Sequence, residues 1–135
     1  MTRHRTPSRK SKYYLPKETF LTVVHYCKQY PLWDAEMETL ARTMKAVTYD
    51  QTRVQTSHDS DPTEEAALRL SEVGKKKDVL DDIAREIGGS MSKWIIRGVC
   101  YDMPYYKLLQ EGIPCGKDLY YLLRRRFYYE VSKRI

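Results

Sequence analysis

Seven residues between Pro62 and the pair Gly88-Gly89 recur alternately four and three positions apart, and this spacing constrains the fold more than any other feature. They are Ala66, Leu70, Val73, Lys77, Leu80, Ala84 and Ile87. Such a repeat is the seam of an amphipathic helix or of a coiled coil. Asp61 as N-cap, Pro62 in the first turn and the Gly pair predict a helix over 62–87. We expect the seam either to pack on other helices of the chain or to pair with a second copy, with Lys77 then setting the register.

The first half of the chain is expected to hold a basic arm, two helices and a linker. Residues 1–12 have no periodic apolar residues and are expected to be disordered. Apolar residues at helical spacing predict one helix over about 16–29 and another from Pro31 to about Ala46. The polar stretch 48–61 has no period and is expected to be a flexible linker.

Two short helices, a turn and a longer helix are predicted after the Gly pair. The first contains Trp94, the second opens at Pro104, the turn covers 112–116, and the last runs from Gly116 or Lys117 to Lys133. This order is the helix-turn-helix pattern, so an all-α fold is predicted. The chain then divides into an arm (1–12), an N-terminal helical pair (13–47), a linker (48–61), a long helix (62–87) and a helix-turn-helix part (88–135).

The net charge of +6 is distributed unevenly. The first 17 residues hold six Lys or Arg and no acid, and the last 20 hold six against two acids. Basic ends around an acidic middle indicate two contacts with a polyanion, although a solubility tail and a solvated helix face would give the same bias. The longest apolar runs fall far short of a membrane span, and the basic N-terminus lacks the apolar stretch of a secretory signal. A cytoplasmic protein without membrane contact is expected.

No catalytic, cofactor or metal site is expected. The three cysteines, Cys27, Cys100 and Cys115, are widely spaced and have no nearby histidine pair, which argues against a disulfide framework and a zinc site. We expect packed, reduced thiols. Phosphate-loop, metalloprotease and nucleophile motifs are missing from the sequence, so an enzyme is not expected.

The last helix carries the residues expected to bind DNA. A helical wheel places one group of side chains on its packed side: Leu119, Leu122, Leu123, Arg126, Phe127, Glu130 and Val131. The DNA-binding candidates are Lys117, Tyr121, Arg124, Arg125, Tyr128 and Lys133. The first three are expected nearest the bases because they lie in the first two turns, and the others nearer the backbone. Arginine can contact guanine or phosphate, and tyrosine can bond phosphate or contact thymine. Arg126 is expected to pair with Glu130 instead.

Four segments carry a resemblance to a known family. They are 14–20 (YLPKETF), 27–33 (CKQYPLW), 112–118 (GIPCGKD) and 124–129 (RRRFYY). The chain resembles the RinA and ArpU-like late transcriptional regulators of prophages in low-GC Gram-positive bacteria, outside the arm and the linker. The resemblance implies a C-terminal helix-turn-helix like that of sigma factors, which binds a phage or mobile-element promoter in a bacterial host.

The sequence therefore favours a DNA-binding regulator of transcription whose partners are double-stranded DNA and, as further candidates, RNA polymerase and a second copy through the long helix. Two alternatives stay open. A small terminase subunit for DNA packaging would form a large ring. A protein-binding adaptor acting on RNA polymerase would bind its target without DNA.

Overall fold

A computed structural model describes residues 6–51 and 62–135, and all regular secondary structure within these ranges is helical. The all-α fold is therefore confirmed. The helices are α1 (Lys17–Cys27), α2 (Tyr30–Gln51), α3 (Pro62–Gly88), a 3-10 helix (Gly89–Met91), α4 (Ser92–Val99), α5 (Tyr105–Gln110) and α6 (Lys117–Ser132). Among the described helices, none has the length and apolar composition that crossing a bilayer would require.

The helix boundaries depart from the predicted ones in two places. α2 continues to Gln51, because no Gly or Pro follows Pro31 to stop it, so residues 48–51 are helical and not part of the linker. The rest of the predicted linker lies outside the described residues. Residues 6–12 of the arm include a turn, in which the Ser11 amide donates to the Ser8 carbonyl at 2.9 Å, as serine favours. Residues 1–5 lie outside the described residues.

Residues 6–31 and 79–135 form one compact unit. Within it α6 packs against α1 and α4, and α5 packs against α4. The largest fully buried side chains of this unit are Phe20, Val23, Val24, Cys27, Leu80, Ile83, Ile95, Leu108, Tyr120, Phe127 and Val131. α1 thus belongs with the C-terminal helices, whereas the sequence-based division groups it with α2. The last helix is held from two sides by this packing.

Residues 32–51 and 62–78 form a second unit. Trp33 from α2 and Val73 from α3 are buried there, with 5% and 0% of their surfaces exposed. The Lys77 ammonium lies 2.6 Å from a carboxylate oxygen of Asp34, and this ion pair accommodates the one cation of the α3 seam.

The seam of α3 is largely covered by the chain itself. Ala66, Val73, Leu80 and Ala84 are all buried within the single chain. The first of the two interpretations, packing on other helices of the chain, therefore accounts for the heptad spacing.

Candidate nucleic-acid interface

The turn that precedes α6 is set by Gly112. Its φ of +98° is a left-handed conformation that favours glycine. The Gly112 amide donates to the Leu109 carbonyl at 3.1 Å, and the Ile113 amide donates to the Leu108 carbonyl at 3.0 Å. These two bonds form a Schellman motif at the end of α5. Because Ile113 is buried, the motif anchors the turn in the core and fixes where α6 begins.

The packed side of α6 differs from the one predicted by the helical wheel. Its buried residues are Tyr120, Leu123, Phe127, Tyr128 and Val131. Leu119 and Leu122, expected to be packed, are 47% and 42% exposed, whereas Tyr128 is only 2% exposed. The expected outward orientation of Tyr128 is therefore wrong. The reason is that each aromatic ring buries about 150–250 Å², more than a leucine side chain, so the tyrosines decide which side faces the core.

Tyr120 fixes α6 against α4 through a glycine. A Cβ atom added at Gly98 would lie 2.8 Å from the Tyr120 Cζ and 3.2 Å from the Leu108 Cδ1. The centroid of the Tyr120 ring also lies 5.5 Å from that of Tyr105, whose hydroxyl donates to the Cys115 carbonyl at 2.9 Å. The ring is thus enclosed by α4, α5 and the turn before α6. Its position sets the rotation of α6 about its own axis.

Arg124 lies among tyrosine rings and not on the outer surface. Its guanidinium carbon is 5.8 Å from the Tyr121 ring centroid and 5.6 Å from the Tyr128 centroid. These are cation–π distances, and Arg124 and Tyr121 are both half-buried. Burial also raises the pKa of Tyr128 to about 12. Arg124→Ala would therefore disturb packing as well as charge, so it does not isolate a contact with DNA.

Two cations in the C-terminal half of α6 and one at its C-cap form a group that we call the basic strip: Arg125, Arg126 and Lys133. Arg126 and Lys133 are exposed and Arg125 is half-buried. Their spacing of seven or eight residues brings Lys133 to the same side as the two arginines. Glu130 lies 3.7 Å from the Lys133 ammonium, and the expected pair of Glu130 with Arg126 is not formed among the described residues. Arg126, excluded by the helical wheel, is thus part of the outer surface.

The N-terminal half of α6 presents a mixed surface. Lys117 is exposed, with its ammonium 6.0 Å from the ring centroid of Tyr121. The exposed Asp118 lies beside it, followed by the exposed side chains of Leu119 and Leu122. Donors and apolar groups are therefore both available in the first two turns.

A cavity of about 700 Å³ lies elsewhere in the same unit. Its wall includes Tyr30, whose hydroxyl donates to an Asp81 carboxylate oxygen at 2.8 Å. Arg97, also in the wall, lies 2.9 Å from a carboxylate oxygen of Glu111. Each of these two carboxylates is thus engaged by a donor that also lines the cavity.

Two of the three cysteines lie together in the core. Cys27 and Cys100 are buried, and a hydrogen bond between their thiols together with burial raises the pKa of Cys100 far above its usual value. Among the described residues, no group of three or more His, Cys, Asp or Glu is placed to hold a metal ion. Cys27 and Cys100 are packed thiols, as predicted, whereas Cys115 is half-buried.

Comparisons with protein families, with curated proteins and with solved structures found no match for this chain. The candidate interface therefore depends on its geometry alone. Of the six predicted DNA-binding residues, Lys117 and Lys133 are exposed, Arg125 is half-buried, Tyr121 and Arg124 are half-buried against each other, and Tyr128 is in the core. Sequence reasoning missed Arg126, although the run of three arginines pointed to its neighbourhood.

Proposed function

We propose that this protein binds double-stranded DNA through the exposed side of α6 and regulates transcription. The observation that carries the proposal is the basic strip, Arg125, Arg126 and Lys133, on a helix whose opposite side is buried against α1 and α4. A helix held in this way presents its cations in a defined arrangement. DNA-binding modules use this arrangement to hold the phosphate backbone.

The helices before α6 support a docking geometry of the helix-turn-helix kind. α4 and α5 precede a turn and a longer helix of 16 residues, as in that motif. At a rise of about 1.5 Å per residue, α6 is about 24 Å long, and a helix diameter of about 10–12 Å with side chains matches a major groove about 12 Å wide.

The two halves of α6 would have different roles. In a recognition helix the N-terminal residues contact base edges, and here that half offers Lys117 as a donor and Leu119 and Leu122 as apolar groups for thymine methyls. The basic strip would then contact phosphates. Tyr121 and Arg124 would position the helix.

The proposed target is a promoter of a prophage or mobile element, as the resemblance to the RinA and ArpU-like regulators implies, with RNA polymerase as a candidate partner. Selection of bound sequences from a random duplex pool would identify the site. A promoter-reporter assay with that site would then test regulation. A selected pool without any enriched sequence would argue against a sequence-specific regulator.

The contact itself is tested by fluorescence anisotropy with a labelled duplex over a range of salt concentrations. The variant R125A/R126A removes two cations of the basic strip, and R42A/K45A removes two exposed cations of α2 as a matched control. We expect the slope of log affinity against log salt to become shallower by about 1.8 in the first variant, since each phosphate contact contributes about 0.9. The control should keep the wild-type slope. Equal slopes in both variants, or no binding by the wild-type chain at low salt, would refute the proposal.

A further inference from the structure

The segment before α1 is docked on the C-terminal end of α6. The Tyr13 and Tyr129 ring centroids lie 5.7 Å apart, with the rings tilted by 60°. Aromatic pairs prefer such inclined arrangements at this separation. Tyr13 therefore ties the start of the chain to the helix that carries the basic strip.

The docked segment has a defined local structure. The Ser11 amide donates to the Ser8 carbonyl at 2.9 Å, and the Tyr14 amide donates to the Ser11 carbonyl at 3.2 Å. Two consecutive turns keep each of these residue pairs within about 7 Å at their Cα atoms. Pro7, at the beginning of the segment, is buried. A tail that served only for solubility would need neither the turns nor the buried proline.

The ring pair is flanked by two lysines. The Lys12 ammonium lies 5.1 Å from the Tyr13 centroid, and the Lys133 ammonium lies 4.4 Å from the Tyr129 centroid. Two cations are thus held on adjoining rings, one from the segment and one from the basic strip. Lys133 also lies 3.7 Å from a carboxylate oxygen of Glu130, so a polyanion bound here would meet Lys12 as an uncompensated charge and Lys133 as a partly compensated one.

Two further cations, Arg9 and Lys10, belong to the same segment. Arg9 and Lys10 are exposed, as is Lys12. No carboxylate of a described residue forms an ion pair with any of the three. The segment therefore presents three exposed cations, and the contact of Tyr13 with Tyr129 places Lys12 at the end of α6 where Lys133 lies.

We propose that Arg9, Lys10 and Lys12 form, together with the basic strip, one continuous surface that contacts the phosphate backbone of a single DNA duplex, with the Tyr13–Tyr129 contact holding its two parts together. The proposal rests on the proposed function and specifies it further. The two basic ends of the sequence then act as one contact and not as two.

The test compares salt dependence of duplex binding between two triple variants of the full chain. R9A/K10A/K12A removes the cations of the segment, and R42A/K45A/K75A removes three exposed cations of the other unit. We expect the slope of log affinity against log salt to become shallower by about 1 to 3 in the first variant, since each phosphate that is no longer neutralised reduces the slope by about 0.9. The control variant should keep the wild-type slope.

A second pair of variants tests the docking. Y13F retains the ring and should bind like the wild type. Y13A removes the ring while leaving every cation in place, and we expect its slope to become shallower although its charge is unchanged. Thermal unfolding followed by circular dichroism would establish that both variants are folded at the assay temperature.

The outcomes separate this inference from the proposed function. If the wild type binds duplex DNA and R125A/R126A weakens binding while R9A/K10A/K12A does not, the inference is overturned and the proposed function stands. If the segment variant has a shallower slope but Y13A does not, the segment binds independently and the single surface is refuted. If the wild type binds single-stranded RNA but no duplex DNA at low salt, both proposals fail.

Discussion

Gly98 offers a direct test of the packing that orients α6. In Gly98→Ala the new Cβ would lie 2.8 Å from the Tyr120 Cζ and 3.2 Å from the Leu108 Cδ1, with the Tyr120 hydroxyl oxygen nearer still. Carbon atoms in ordinary contact are about 3.5–4.0 Å apart. Tyr120 is fully buried and its ring adjoins that of Tyr105, so it cannot withdraw without displacing a neighbour. The substitution must therefore strain the contact between α4 and α6.

The expected magnitude follows from two opposing contributions. Overpacking a close-packed core costs about 1–3 kcal/mol, and displacing a whole ring belongs at the upper end of that range. Alanine inside a helix is more favourable than glycine by about 1 kcal/mol. We therefore expect Gly98→Ala to lower the free energy of unfolding by about 2 kcal/mol, the difference between these two contributions.

Gly74→Ala is the matched control, because Gly74 is also inside a helix and its added Cβ would meet only the Met37 Cε, at an ordinary 3.6 Å. We expect this variant to gain about 1 kcal/mol, so the two substitutions should differ by about 3 kcal/mol. Urea unfolding followed by far-ultraviolet circular dichroism measures both. The double variant G98A/Y120F, which lacks the nearest oxygen, should recover part of the loss. A Gly98→Ala protein at least as stable as the wild type would refute the reasoning.

Three further properties follow from burial and pairing. Under native conditions Cys115 should react with a thiol reagent before the two buried cysteines. Because burial raises the pKa of Cys115, its reaction rate should keep rising with pH above the usual thiol pKa of about 8.5. Equal rates for all three cysteines would contradict their assigned burial. Glu36→Gln should lower the melting temperature at neutral pH, because the hydrogen bond from Arg69 lowers the pKa of Glu36. Because the pKa of Glu36 is lower in the folded than in the unfolded chain, the difference in melting temperature between variant and wild type is present above the usual glutamate pKa of about 4.3. Calorimetry should show this difference vanish as the pH falls through the folded pKa. Burial raises the pKa of Tyr128 to about 12, so the contribution of its neutral ring to stability is complete below the usual tyrosine pKa of about 10 and is lost as the pH rises through the folded value. In a pH titration, the phenolate absorbance of Tyr128 should therefore appear only near the folded pKa. If Tyr128→Phe left the absorbance change in that pH range unaltered, the assignment would be wrong.

The helices could be predicted because their signals are local. Pro62 and the Gly pair bound α3, and the left-handed Gly112 ends the α5 region, as the sequence indicates. Each of these effects depends on the backbone of one or two residues. The partner of α1 could not be predicted, since packing of α1 on α6 joins segments about 100 residues apart and depends on side chains that only the folded chain brings together.

The candidate site was only partly predictable because tyrosine is both apolar and polar. A helical wheel that sorts residues by polarity assigns Tyr128 to solvent, yet its ring is buried. Because Tyr120 and Tyr128 both face the core, Leu119 and Leu122 are turned outward and are exposed. The consequence is a rotation of the helix relative to the predicted orientation. Arg126 gains exposure by that rotation, and Arg124 loses it.

The same rotation limits how many of the three consecutive arginines of α6 can face a DNA duplex. Three consecutive arginines cannot all face one side of a helix, because successive residues are about 100° apart, and here Arg124 is held among tyrosine rings. The run therefore supplies fewer outward charges than its composition suggests. The N-terminal segment compensates in the arrangement we propose, since Tyr13 meets Tyr129 one turn beyond the arginines and brings Lys12 to the same end of α6. If that is how the surface is built, the aromatic residues determine where the charges lie, and substitutions that change rings without changing charge should alter DNA binding as much as substitutions that remove a cation.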